Sequence, residues 1–114
     1  PGNLPSLTQF DFHERLQATV GVALVVFSGA GCGACRHLRR VLIDAAVQYP
    51  EWSLFEVDAG HEPGLANELE VFHLPAAYLY LDGRFHRPLA FEPRLPAIVD
   101  AVTAARGLPA AEEP

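Results

Sequence analysis

Apolar and polar positions along the chain fall into blocks whose period changes at glycine and proline. Residues 1–7, PGNLPSL, hold two prolines and a glycine and predict an irregular lead-in that ends in a short strand. Asp11 precedes FHERLQAT, where Phe12, Leu16 and Val20 recur every four positions. That spacing predicts a helix capped by Asp11, buried along those side chains and ended by Gly21. VALVVF at 22–27 is unbroken and rich in β-branched residues, which predicts a strand buried on both faces. After SGAG a helix is predicted from about Gly33 to Gln48, with Leu38, Val41, Leu42, Ala45 and Ala46 as its apolar stripe and Pro50 as its stop.

The second half shortens its elements. WSLFEVDA at 52–59 reads as a strand, GHEPG as a breaker, and GLANELE at 64–70 as a short helix. AAYLYLDGRFHRPLAF at 76–91 reads as a hairpin turning at Asp82–Gly83, a pair suited to a tight turn. Pro93 or Pro96 opens a last helix through about Arg106, and LPAAEEP forms a frayed acidic tail. Alternating helix and strand followed by a hairpin implies an α/β fold, with a central mixed β-sheet flanked by helices on both faces. The chain is expected to be one domain over 1–114, with its core at about 8–106 and irregular ends.

Composition narrows the partners. A net charge of −6 argues against nucleic acid, which selects for a basic face. The arginines form no long amphipathic stripe for a membrane surface, and no apolar run approaches the roughly 18–20 residues of a membrane span. All eight basic residues are Arg, a bias attributable to GC-rich codons rather than to mechanism. The sequence contains no Met, so its beginning reflects processing or trimming, and a lost signal peptide stays open. Cytoplasm is the expected compartment, with the periplasm as the alternative.

GCGACRHLRR at 31–40 carries both cysteines of the chain, three positions apart at the predicted strand-to-helix turn. Unpaired N–H groups and the positive end of the helix dipole stabilise a thiolate there, so Cys32 is expected to ionise more readily than a free thiol. Cys35 lies one turn on, with the small residues Gly33 and Ala34 between them and Arg36 adding positive charge. This arrangement suits thiol–disulfide exchange, in which an outer thiolate attacks and an inner thiol resolves. Two other readings compete. A metal site would draw on His37, His61 or His73, but the ligand count is short and no H-x₃₋₅-H spacing occurs. Alternatively the two cysteines are inert core residues.

A buried strand, GCGAC, an amphipathic helix, FEVDA, a short helix, LPA and a hairpin carrying LYLDG follow in an order that resembles the thioredoxin family. The similarity spans about residues 8–106. The resemblance implies a thioredoxin fold with Cys32 as nucleophile and Cys35 as resolving thiol. It makes Pro75 the family's cis-proline beside the dithiol, a bond geometry that X–Pro peptides tolerate. Leu74 would then offer its backbone to an incoming peptide, with Gly31, Gly33 and Ala34 also lining the substrate site. The redox-active disulfide would be the only cofactor. Partners would be a protein disulfide and an electron donor or acceptor, and the protein a monomer.

The chain also departs from the family pattern. Gly31 replaces the Trp before the first cysteine, which should open the site and leave Asp58, the acid that contacts that Trp, free. Ala34 replaces Pro in the dipeptide, which frees a backbone N–H and loosens the turn. Val26 and Leu54 stand where the family has a buried Asp and a Lys, so the relay to the resolving thiol is expected to be missing. Glu56, on the strand face of Leu54, is a candidate substitute, against the plainer reading of a rim carboxylate. Phe91, Glu92 and Pro93 occupy the region of a peptide-facing glycine. These departures predict a specialised thiol–disulfide oxidoreductase; the alternative is a binding or chaperone-like module whose dithiol is incidental or regulatory.

Overall fold

The computed structural model describes residues 3–114. Its elements in chain order are α1 (Phe12–Gln17), β1 (Val22–Ser28), α2 (Gly33–Gln48), β2 (Ser53–Asp58), α3 (Pro63–Glu68), β3 (Ala76–Leu81), β4 (Arg84–Leu89) and α4 (Leu95–Arg106). The four strands form one sheet in the order β2-β1-β3-β4. β1 pairs parallel with β2 and antiparallel with β3, and β3 pairs antiparallel with β4.

The continuous apolar run of β1 is explained by its central place, since all seven of its residues are buried. Successive strand side chains point to opposite faces. Val22, Leu24 and Val26 pack with Leu38 and Leu42 of α2 and Ile98 and Val102 of α4. Ala23, Val25 and Phe27 pack on the other face with Phe12 and Leu16 of α1 and Leu65 of α3. The sheet is therefore mixed and covered on both faces, as the order of elements predicts.

The hairpin turn is fixed at its tip. Asp82 (φ 50°) and Gly83 (φ 80°) both take left-handed backbone, the pattern of a type I′ turn. Asp82 Oδ1 accepts the Gly21 N–H at 2.7 Å, which ties the turn to the entrance of β1. A Cβ on Gly83 would stand 2.9 Å from the Gln17 carbonyl oxygen, so the close approach to α1 requires glycine.

Several boundaries differ from the sequence pattern. α1 stops at Gln17, and Val20 is 82% exposed rather than buried. Asp11 does not cap α1 through its side chain; its Oδ1 accepts the Thr8 N–H at 2.7 Å and closes the turn before the helix. In the α2 stripe Leu38, Leu42 and Ala45 are buried and Val41 half-buried, but Ala46 is exposed. α3 begins at Pro63 and ends at Glu68, and α4 opens with Pro96 rather than Pro93 in its first turn.

The lead-in ends in the strand-like pairing that its pattern predicts, through a parallel bridge from Ser6 to Glu56, while the tail differs. Leu4 and Leu7 belong to the core, and the lead-in pairs beside β2, where Leu7 N–H donates to the Glu56 carbonyl and Glu56 N–H to that of Pro5. The tail carries no regular element, yet it is not frayed. Ala111 N–H donates to the His86 carbonyl at 2.7 Å, and Arg87 Nη1 to that of Pro109 at 2.9 Å. Among the described residues no helix is long and apolar enough to cross a membrane.

Candidate active site

β1 delivers the chain to Gly29–Gly31, and α2 begins at Gly33 with Cys32 as its N-cap. The Cys32 sulfur accepts the Cys35 backbone N–H at 3.1 Å, taking the place that a Ser or Asp oxygen fills at most helix starts. The two cysteines form a disulfide with Cα atoms 5.2 Å apart. Cys32 is half-buried, whereas Cys35 is 2% exposed beneath the first turn of the helix. Burial thus divides the pair into an outer and an inner sulfur.

The turn leading into the dithiol depends on Gly31, whose φ of 75° lies in the left-handed region. Nothing stands within 4 Å of where its Cβ would be, so a side chain at this position would enter open space. The Arg36 guanidinium folds back to Gly33, with Nη2 3.6 Å from where a Cβ on that glycine would lie. Ala34 is exposed.

The Leu74–Pro75 peptide bond is cis. Leu74 is 36% exposed, and its Cδ1 would lie only 2.8 Å from a Cβ on Gly29. The segment before Pro75 is therefore packed directly against the strand-to-helix turn, which brings Leu74 beside the dithiol loop. A pocket of about 810 Å³ opens from Ala34 and Pro75 toward Tyr78, Leu89 and Phe91, with His37 and His73 also in its lining. His37 Nε2 contacts the Pro93 carbonyl at 3.2 Å, joining α2 to the loop that carries Phe91. The Phe91–Pro93 segment thus walls the pocket.

Val26 and Leu54 are buried among apolar neighbours. Glu56, beside them on the same strand face, is not a free rim carboxylate. Its Oε2 accepts from the Ser28 hydroxyl at 2.6 Å and from Arg39 Nη2 at 2.5 Å, and Arg39 Nε reaches both carboxylate oxygens at 2.9 and 3.0 Å. Burial pushes the Glu56 carboxyl up and the Asp58 charge adds to this. Hydrogen bonds from Arg39 and Ser28, with the guanidinium charge, outweigh both and leave the group below its ordinary value of 4.5. The hydrogen bond to Glu56 raises Arg39 above its own ordinary value, against desolvation.

Asp58 is not left free either. Its Oδ1 accepts the N–H groups of Gly60 and His61 at 2.9 and 3.1 Å, and Oδ2 lies 3.3 Å from His61 Nδ1. It closes the turn after β2. Among the described residues no three His, Cys, Asp or Glu side chains gather as a metal site would require. His37, His61 and His73 belong instead to the contacts and pocket described above.

Sequence reasoning missed Ser28 and Arg39. Both carried a signal: Ser28 is the one polar residue of the apolar run VALVVFS, and Arg39 follows Cys35 by one helical turn.

Residues 3–103 match the family model described as Thioredoxin. A thioredoxin of Staphylococcus aureus is 28% identical over 90 residues, covering 77% of this chain and 85% of that protein. Mitochondrial thioredoxin 3 of Saccharomyces cerevisiae, in its oxidised form, superposes with a TM-score of 0.75 at 20% identity, over 92% of this chain and 95% of that one. The zinc-bound form of human ERp44 gives the same TM-score at 19% identity, with 89% of this chain matched to 30% of that one.

Proposed function

The chain belongs to the thioredoxin family, and we propose that it exchanges its Cys32–Cys35 dithiol and disulfide with one or a few protein disulfides rather than serving as a general reductase. Family and CxxC pair together make it a thiol–disulfide oxidoreductase in general terms. The finer reading rests on one observation above all. The sulfur of Cys32 caps α2 at a half-buried position while Cys35 is shielded one turn deeper.

In this reading the Cys32 thiolate attacks a sulfur of the client disulfide and forms a mixed disulfide, releasing the client's other sulfur as a thiolate. Cys35, once deprotonated, attacks Cys32 and releases the second client thiolate, leaving the Cys32–Cys35 disulfide. A separate dithiol donor then returns the protein to the reduced state, and no cofactor beyond the cysteines is needed. The client lies extended along Leu74, with one of its apolar side chains in the pocket between Pro75 and Phe91. Open space over Gly31 and the wall formed by Phe91 and Pro93 support a restricted client range.

The test is disulfide reduction of insulin with dithiothreitol as electron source, compared with Cys32→Ser. Turnover that is slow but abolished by Cys32→Ser supports the reading. Turnover as fast as that of a general thioredoxin removes the specialisation. Client capture that Cys32→Ser leaves unchanged, with no turnover in either protein, replaces it with a binding module.

A further inference from the structure

Three polar side chains from three elements close on one another on the sheet face that α2 covers. Ser28, the last residue of β1, is 4% exposed and is the one buried polar residue among those described. Its hydroxyl donates to Glu56 of β2, and Arg39 of α2 grips the same carboxylate through two nitrogens. The Glu56 side chain is 14% exposed and that of Arg39 31%. Neighbouring positions on this face hold Val26, Leu38, Leu42 and Leu54, all buried and apolar. A carboxylate in such surroundings survives only because a cation and hydrogen bonds offset its desolvation.

This cluster is joined through the chain to both ends of the dithiol turn. Arg39 follows Cys35 by four residues, which sets the two on one face of α2 a turn apart. A helical side chain leans over the turn that precedes it, and for Arg39 that turn holds Cys35. Ser28 leads through Gly29 to Cys32, whose N–H donates to the Gly29 carbonyl at 3.4 Å. Chain spacing thus sets the pair one helical turn from Cys35 and one short loop from Cys32, with both side chains partly shielded from water.

We propose that Arg39 and Glu56 form a charge-balancing pair for the dithiol, held by Ser28, in which each member biases thiol ionisation and the pairing cancels the two biases. They are positioning residues, since neither is placed to touch a client. Without Glu56 the guanidinium stands uncompensated and favours thiolate. Without Arg39 the carboxylate stands uncompensated and disfavours it. The two losses act in opposite directions, which no purely mechanical clamp would produce.

Other ionisable groups stand on the elements and loops that frame the dithiol turn: Arg36, His37 and Arg40 on α2, Asp58 and His61 at the end of β2, Glu70 and His73 before Pro75, and the Glu92–Arg94 pair before α4. All remain in the variants below, so each shift is read against the parent protein.

The inference rests on a redox-active dithiol but needs no client for its test. Thiolate absorbance and iodoacetamide alkylation rate are followed against pH in the reduced protein, for the parent, Glu56→Gln, Arg39→Met, the double variant and Arg39→Lys. Glu56→Gln should lower the Cys32 midpoint and Arg39→Met should raise it, each by about half a unit to one unit. The double variant should return close to the parent, and Arg39→Lys should restore most of the effect. Shifts of the same sign, or none, in variants that circular dichroism shows folded would overturn the proposal. If Glu56→Gln does not fold, the Met and Lys variants decide alone, since only a rise with Met and near-parent behaviour with Lys fits. Opposite shifts in a protein that reduces no disulfide would sink the proposed function and leave this inference standing. Normal insulin reduction without the shifts would do the reverse.

Discussion

Cys35 donates its backbone N–H to the sulfur of Cys32 across 3.1 Å, so the first turn of α2 is capped by the redox partner of one of its own residues. In the reduced protein the same N–H is aimed at a thiolate, which it stabilises more strongly than a neutral thiol.

That relationship predicts unequal thiols. Near neutral pH iodoacetamide should modify Cys32 faster than Cys35 by about tenfold or more, because rate follows thiolate fraction and access. Peptide mapping after short exposure measures the ratio. Cys35→Ala should accumulate mixed disulfides with client proteins, and Cys32→Ala should trap almost none. Equal and slow labelling of both residues would contradict the division into outer and inner sulfur.

Val26→Asp tests the missing carboxylate. Val26 is 4% exposed and packs against Leu24, Leu38 and Leu54. A carboxyl there enters an apolar cluster and stands opposite the Glu56 carboxylate, whose Arg39 and Ser28 partners are already engaged, so urea denaturation should show a loss of about 2 kcal/mol or more. Unchanged stability would mean that the site holds a carboxylate without help.

Glu56 predicts an acid limb in stability. Its folded-state value lies below the ordinary 4.5, so as the pH falls through that window the unfolded chain takes up the proton first. The contribution is therefore complete above the ordinary value and is lost as pH drops through the folded one. Urea midpoints measured from about pH 6 to about pH 3.5 should fall more steeply for the parent than for Glu56→Gln. Parallel curves would place the acid sensitivity elsewhere.

Gly31→Trp would restore the aromatic residue common in the family. The position has φ 75° but no neighbour within 4 Å, so the cost is in the backbone and not in space. Gly31→Ala and Gly31→Trp should each lose about 1–2 kcal/mol, and by similar amounts. A far larger loss for Trp in thermal unfolding would show that the open space is not there.

The periodic parts of the fold were readable because they depend on local pattern. The apolar run of β1, the Leu38–Leu42–Ala45 stripe and the Asp82–Gly83 turn each carry their signal within a few residues. So do the two cysteines, which fall at a strand-to-helix turn that the flanking pattern defines. The spacing of Val20 continues a helix that has already stopped at Gln17, beyond which Thr19 turns its hydroxyl back to the Leu16 carbonyl at 2.6 Å. Glu56 was ambiguous for a different reason. Its partners lie 28 and 17 residues away, and only the parallel register of β1 with β2 and the placement of α2 bring them together. No local pattern encodes that meeting. Asp58 was assigned by analogy to an absent aromatic ring, and the turn it closes instead involves its own next neighbours.

The chain's own ends border both flanks of the sheet, and this limits how the molecule can associate. Pro5 and Leu7 occupy backbone groups of β2, while β4 carries Ala111 across His86, lacks an amide at Pro88 and presents Arg84 and Arg87. A foreign strand trying to template onto either side meets a segment already bonded there or a position that cannot donate. Sheet growth from copy to copy is thereby discouraged, and the backbone beside Leu74 and the disulfide lies apart from both of these occupied flanks.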